Sequence, residues 1–434
     1  NRQLNVNWVA TNSDDGQLGK SDKAVDSISL PDGTSLKYDY DNGGTYLPPG
    51  STTVVKDRLI SVKRLSATNV VLWQRSYLYE RTDFPYALTG IVDGAGNRLA
   101  TYGYSSTGVA NSTEHAGGVD KWQVNSEVVG STFRRTVTNP LGRQSVYEFS
   151  IPSITSPYSP AALNKVSGAA IGSVPADIVQ FAYGSGLVSS MIDAKGNVTN
   201  VTNDNVTGRP SLVTEAVNTA QQRATTLTWH PTFDLPTREE RPGLQVDYGY
   251  DTQGRLISRT ETDTTTQTVP YSSNGQTRTS TFAWTNEGRL SSINGPLPVN
   301  GLGQDDVTSF AYDASGNLTA ITNALGQTVQ FDTFDANGRA GRSIDANGVI
   351  TLFAFDPLGR LTTITRKHPT DPLKDAVTTL DYDAEGRVTG VTAPLTDKLS
   401  MAYDLAGRLL SISAPDGEKI EYGYDAMGDV TSQT

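Results

Sequence analysis

Seven aspartates head nearly identical four-residue segments: Asp251, Asp313, Asp335, Asp356, Asp383, Asp404 and Asp425. Carboxylates in such number invite acid–base chemistry, and a glycosidase uses a facing pair of them. An active site needs one pair, however, and here the carboxylate recurs with every copy. Three residues after each aspartate stands a glycine: Gly254, Gly316, Gly338, Gly359, Gly386, Gly407 and Gly428. Asp at the first position and Gly at the fourth fit a type I turn. The carboxylate accepts hydrogen bonds from backbone N–H groups inside the turn. The glycine supplies the left-handed conformation that a bulged hairpin exit requires. Pro357, following Asp356, occupies the favoured second turn position. Each aspartate is therefore read as the cap of its own turn.

A second chemical series is cationic. Arg255, Arg289, Arg339, Arg360, Arg387 and Arg408 each follow a turn glycine. Stacked copies would align them along one edge, where a guanidinium can pair bidentately with carboxylates. The first reading is a solvated row bridging to Asp or Glu of adjacent turns. The second is a ligand stripe for cargo or glycans.

A third series is aromatic. Pairs at i and i+2 recur at Tyr102/Tyr104, Phe181/Tyr183, Tyr248/Tyr250, Phe282/Trp284, Phe310/Tyr312, Phe353/Phe355 and Tyr422/Tyr424. Residues at that spacing share one face of a strand. Rings stack on sugars, but cross-strand packing, at up to about 1 kcal/mol per pair, is the simpler reading. Trp8, Trp73, Trp122 and Trp229 lie outside the tight repeats and are the better candidates for a special role. His115, His230 and His368 are far apart, in polar or proline-containing sequence. No nucleophile elbow, phosphate loop or dinucleotide fingerprint is present. No catalytic, cofactor-binding or metal-binding residue is assigned, and the chain is not expected to be an enzyme.

The elements that position these residues follow from the turn spacing. Turns begin at Asp313, Asn323, Asp335, Asp345 and Asp356, at intervals of 10, 12, 10 and 11 residues. Four residues per turn leave strands of roughly six, a usual strand length. Strand and turn alternating at this pitch make an antiparallel meander, with the Tyr-Asp turns on one edge and the other turns on the opposite edge. The fold class is all-β. Degenerate repeats are expected over 1–150, a Pro/Ser/Ala-rich loop or insertion over 151–180, and a repeat array over 181–434, tightest from about 243. Within 151–180, Ala161 to Ala170 is the nearest approach to a helix. The Thr-rich stretch 260–281 reads as a long hairpin, and 294–306 and 366–376 as longer edge loops.

Composition bounds the partners. The chain has 434 residues, 36% of them hydrophobic, with 41 Gly and 19 Tyr, as a turn-rich β protein requires. A net charge of −11 argues against a nucleic-acid partner, which usually meets a basic surface. No run approaches the roughly 20 apolar residues of a membrane span. The absence of cysteine excludes disulfides and thiol chemistry.

The motif resembles that of the RHS/YD-repeat family: Tyr-Asp-x-x-Gly-Arg-Leu, then a hydroxyl-rich strand and a second glycine turn. Tyr403 to Ser413 and Phe355 to Thr365 follow it closely, and Asp383, Asp404 and Asp425 stand 21 residues apart. The resemblance implies a β-ribbon that spirals into a hollow shell. The family includes shells of bacterial polymorphic toxins, cocoon-forming components of insecticidal Tc toxins, and the barrel of teneurin receptors. It implies a structural scaffold around polypeptide cargo, built with other shell segments, secreted or at the bacterial cell surface by a route the sequence does not display. A glycan- or protein-binding surface module is the second reading, and a carbohydrate-active enzyme the third. Toxin shells self-cleave near an Asp-Pro-x-Gly element. Asp356-Pro357-Leu358-Gly359 spells it, but ordinary repeats flank it, so it is read as a turn and self-cleavage is not carried over. The chain ends inside a repeat with no toxin domain following, and so reads as a segment of a shell or a truncated family member.

Overall fold

A computed structural model describes residues 4–10, 23–41, 58–150, 162–168, 178–297, 305–395 and 397–434. They contain 34 strands in one sheet. Each strand pairs antiparallel with the next in sequence, from Asn5–Ala10 with Lys23–Ser29 to Lys419–Tyr424 with Val430–Gln433. The sole helical pieces among the described residues are the 3-10 turns Ala116–Gly118 and Pro372–Lys374. None of the described helices is long and apolar enough to cross a membrane.

One repeat shows how the sequence sets the geometry. Strand Lys398–Tyr403 enters the turn at Asp404, and Leu409–Ser413 leaves it. Gly407 N–H donates to the Asp404 carbonyl at 3.0 Å, closing the type I turn, and Asp404 N–H donates to the Arg408 carbonyl at 3.0 Å. Tyr403 then pairs with Leu409 but Ala402 with Ser411, so Leu410 is an extra residue on the outgoing strand. The same register shift precedes Tyr250, Trp284, Tyr312, Phe355, Tyr382 and Tyr424. A bulge bends its strand and sharpens the twist, so bulges recurring through six of the seven Asp-headed repeats, the Asp335 hairpin being the exception, curl the ribbon in a constant sense.

The sheet has one layer. The buried hydrophobic residues among those described are Ala116 and Val246. The chain exposes 26570 Å², whereas a compact monomer of this mass would expose about 16,000 Å². Alternation along the strands gives the two faces different characters. In Thr308–Tyr312, Phe310 and Tyr312 are half-buried while Ser309 and Ala311 are exposed. Phe310 pairs with Ile321, which pairs with Val329, and Phe353 pairs with Ile364. Along these strands one face is thus apolar and, among the described residues, half-covered by its own neighbours.

The ribbon returns to meet itself. Asn337 Nδ2 donates to Asp32 Oδ2 at 2.5 Å, Arg75 Nη2 to Glu385 Oε2 at 2.5 Å, and Asp120 N–H to the Ala426 carbonyl at 3.0 Å. Both series of numbers rise together, so the two passes run side by side in the same direction, as adjacent coils of a spiral do. Asp32 and Asp120 lie at the edge opposite the Tyr-Asp turns, and Asn337, Glu385 and Ala426 belong to those turns. One coil's far edge therefore seats on the motif edge of the next. The 23 strands from Ser35–Asp41 to Thr328–Asp332 separate the contacts of the Asp32 and Asn337 turns. At the standard strand spacing they span roughly 110 Å, a loop about 35 Å across.

The structure places parts of the stretches that interrupt the repeat. The helix-like stretch near Ala161 to Ala170 carries the strand Ala162–Gly168, paired on both sides. Leu163 and Val166 there pair with Phe149 and Tyr147 once the neighbouring strand is present, which propensity alone does not register. The rest of the 151–180 region, from 151 to 161 and from 169 to 177, lies outside the described residues, as do 298–304 of the 294–306 loop. The Thr-rich stretch pairs Leu256–Asp263 with Thr277–Trp284 around a loop at 264–276.

Candidate functional site: an arginine ladder and a coil seam

The turn carboxylates are all engaged locally. Asp356 Oδ1 accepts from the N–H of Leu358 and Arg360, each at 2.9 Å, and Oδ2 accepts from Arg360 Nε at 2.6 Å. Asp251, Asp335, Asp383 and Asp404 repeat this with Arg255, Arg339, Arg387 and Arg408, the Nε distances being 2.6 to 2.7 Å. At Asp313 the amide of Asn317 replaces the guanidinium, at 2.7 Å. At Asp425 the partners are the N–H groups of Met427 and Asp429. Burial acts upward on the Asp356, Asp383 and Asp404 carboxyls. The following arginine, through its N–H and guanidinium, outweighs it and holds all three below the ordinary carboxylate range.

Each arginine also reaches the next repeat. Arg360 lies 4.8 Å from the ring centre of Tyr382, Arg387 5.0 Å from Tyr403, and Arg408 4.8 Å from Tyr424. Arg255, Arg289 and Arg339 sit over Trp284, Tyr312 and Phe355 at 5.6, 5.7 and 5.0 Å. Nη1 of Arg360, Arg387 and Arg408 donates to the carbonyls of Asp383, Asp404 and Asp425. The motif tyrosine points back the other way: the hydroxyls of Tyr382, Tyr403 and Tyr424 donate to the carbonyls of Leu361, Val388 and Leu409 at 2.7, 2.8 and 2.6 Å. Aspartate, arginine and the next tyrosine form a continuous ladder along one edge. Arg289 is the exception, because Thr285 stands in the aspartate position and its nearest carboxylate is Glu287 at 3.9 Å.

All seven turn glycines have φ between 79° and 88°. At Gly359 a second constraint adds to the backbone one, since a Cβ there would overlap Nη1 of Arg339.

The ladder extends to residues that motif matching missed. Trp229 occupies the tyrosine position: its indole N–H donates to the Pro210 carbonyl at 2.7 Å, and Arg209 lies 5.6 Å from its ring. His230 takes the aspartate position, Nδ1 accepting from the N–H of Thr232 and Phe233 at 3.1 Å. The turn that closes at Gly208 is headed by Asp204, whose carboxylate takes the N–H of Val206 and Thr207. His368 caps its own loop by accepting from Asp371 N–H at 3.1 Å, and His115 lies 3.6 Å from Asp120. The three histidines do not converge, and the described residues hold no group of three or more metal-ligating side chains.

The coil seam gathers two of the four tryptophans singled out above. Trp73, with Arg75 at 5.2 Å from its ring, lines a cleft of about 200 Å³ together with Gly94, Ala384 and Glu385 of the facing coil. Trp122 donates to Asp120 at 2.7 Å, beside the contact with Ala426. Trp8 is 57% exposed in the first strand.

Comparison with known proteins agrees with this architecture. The RHS Repeat family model matches residues 312–340 and 403–434. No curated protein matches the chain. Among solved structures, the crystal structure of TcdB2-TccC3-Cdc42 aligns over 99% of this chain with a TM-score of 0.55 and 11% identity. That of TcdB2-TccC3 without its hypervariable C-terminal region aligns over 92%, with a TM-score of 0.50 and 13% identity. The chain spans 26% of the length of each. At such identity the likeness is one of fold.

Proposed function

We propose, from the RHS repeats matched at 312–340 and 403–434 and from the geometry above, that the chain is wall material: a non-catalytic β-shell scaffold that encloses a polypeptide cargo before delivery. The carrying observation is the single-layer sheet that curls through a full coil and seats on itself. An ordinary domain covers its apolar sheet face with a second layer. This sheet leaves that face half-open, which suits it to line a space holding non-native polypeptide. The recurring carboxylates and most of the arginines are occupied in holding consecutive repeats together, which supports a structural role over a catalytic one. The partners of this reading are cargo and further shell segments, in a secreted or cell-surface bacterial setting.

Small-angle scattering on the purified chain tests the hollow coil. A compact chain of this length would have a radius of gyration of about 22 Å. The coil requires a distinctly larger value and a pair-distance distribution depleted at short separations. A value near the compact one would sink the scaffold reading. Enclosure is tested separately, by fusing a disordered reporter after Thr434 and timing its proteolysis. Protection relative to the free reporter supports enclosure, and equal cleavage removes it.

A further inference from the structure

We propose that the far-edge turns of the later strands dock the motif edge of a second copy of this chain, so that copies stack coil on coil. These turns carry a row of exposed leucines. Leu325 and Leu373 each stand third in a far-edge turn, and their N–H groups donate to Oδ1 of the heading residues Asn323 and Asp371 at 3.0 and 3.1 Å. Leu325 is 68% exposed and Leu373 96%. The preceding far-edge loop adds Leu297, exposed as well. From Leu297 to Leu373 the row crosses the six strands from Thr308–Tyr312 to Leu361–Arg366, roughly 30 Å at the standard strand spacing. Apolar side chains gathered in this way on a solvent-facing rim mark an interaction surface.

The coil seam shows what covers such a leucine. Leu141 has the same geometry, its N–H donating to Asn139 Oδ1 at 3.1 Å, yet it is only 42% exposed. Its turn lies where the coils meet, and Asn139 Nδ2 donates to Met427 Sδ at 3.5 Å. Met427 stands third in its own motif turn, its N–H donating to Asp425 Oδ1 at 2.9 Å. A leucine turn of the far edge therefore seats on a motif turn whose third residue is apolar. The motif edge carries another such residue away from the seam. Val206, third in the turn headed by Asp204, donates its N–H to Oδ1 at 3.1 Å and is 93% exposed. Leu325 and Leu373 on one edge, and Val206 on the other, thus repeat the two halves of the contact that the chain makes with itself at Asn139 and Met427. The halves lie on opposite edges, so the motif edge of one copy meets the far edge of the next. A contact of this kind is heterologous and propagates instead of closing as a pair. A lipid surface also covers leucines, but a chain of net charge −11 is repelled by anionic membranes. The stacking rests on the coil geometry and not on the enclosure of cargo.

Sedimentation velocity on the full chain, from low to high micromolar concentration, tests the proposal. The parent should form species that grow past a dimer as concentration rises. Leu325→Asp combined with Leu373→Asp blocks the far edge, and Val206→Asp blocks the motif edge. Each variant should remain monomeric with an unchanged circular dichroism spectrum. Each also keeps one intact edge, so an equimolar mixture of the two should form a pair and stop there. Leu325→Asn with Leu373→Asn copies Asn347, the third residue of the Asp345 turn, so these turns should fold normally and assembly should again be lost. A parent that stays monomeric, assembly that survives either blocked edge, parental association that ends at a dimer, or a mixture that fails to pair would each overturn the proposal. So would leucine-dependent flotation with phosphatidylcholine vesicles in place of self-association. Reporter protection can be measured on the monomeric variants, so stacking and enclosure fail separately.

Discussion

Arg75 and Glu385, 310 positions apart in the chain, meet with Nη2 2.5 Å from Oε2. The Glu385 side chain is only 14% exposed and that of Arg75 34%. Removing one partner strands the other at a seam where water is scarce, a loss of about 1–3 kcal/mol. Arg75→Ala should therefore loosen the seam while leaving the strands intact. The expected readout is a larger radius of gyration with an unchanged β-sheet circular dichroism spectrum. The charge swap Arg75→Glu with Glu385→Arg should restore much of the parental value. An unchanged radius in Arg75→Ala would mean the ion pair does not hold the coils.

The ladder makes a graded prediction at a single rung. Tyr382→Phe keeps the ring beneath Arg360 and removes only the hydroxyl bond to the Leu361 carbonyl, a loss of about 1 kcal/mol. Arg360→Lys keeps the charge but loses the fork that spans Asp356, Tyr382 and the Asp383 carbonyl. Lysine cannot make three such contacts from one planar group, so the loss should be larger, about 2 kcal/mol. Urea unfolding of both variants and of the double variant measures the coupling. Additive losses would show that Arg360 and Tyr382 do not act together.

Two glycines separate backbone conformation from packing. Gly359 and Gly417 have φ of 87° and 93°. A Cβ on Gly359 collides with Arg339, whereas one on Gly417 meets nothing within 4 Å. Gly417→Ala should cost about 1 kcal/mol for the left-handed conformation alone. Gly359→Ala should cost about 1 kcal/mol more, because Arg339 must leave its place over Phe355. Equal losses in thermal unfolding would remove the packing contribution.

Local rules made the turns, the meander and the two edges legible. Asp404 to Gly407 states its turn in four residues, and the spacing states the strand length. Where the chemistry is preserved by different atoms, letter matching fails: Trp229 does with an indole N–H what tyrosine does with a hydroxyl, and His230 does with Nδ1 what aspartate does with a carboxylate. The arginines were visible as a row, but their common partner was not. Each spans two repeats, and only stacked strands bring Arg408 under Tyr424. The seam leaves no local trace, since the contacts of Asp32 with Asn337 and of Arg75 with Glu385 depend on the curvature summed over many strands. Trp73 and Trp122 were set apart as non-repeat aromatics, and their place at the seam is what the missing period reflected.

Acid should weaken the sheet through its paired carboxyls, those of the ladder among them. The Asp356, Asp383 and Asp404 carboxyls are held below their ordinary range in the folded chain. Glu80 is lowered to about 2, chiefly by the Arg98 guanidinium and then by the Thr89 hydroxyl. A carboxyl whose folded value lies below its unfolded one, about 4 for these groups, stabilises the fold above that unfolded value. The contribution is lost as pH falls through the folded value. Stability should thus be nearly flat above pH of about 5 and fall steadily from about 4.5 towards 2. Glu80→Gln should flatten part of that fall without changing the plateau's shape. Asp383→Asn keeps an acceptor for the N–H groups of Glu385 and Arg387 but loses the charge facing Arg387. It should lower stability at pH 7, and that deficit should shrink as pH falls below the unfolded value and through the lowered folded one. Urea midpoints across this range provide the measurement. An Asp383→Asn deficit that stays constant down to pH 2 would show that the Asp383–Arg387 charge pair is not part of what holds successive turns together.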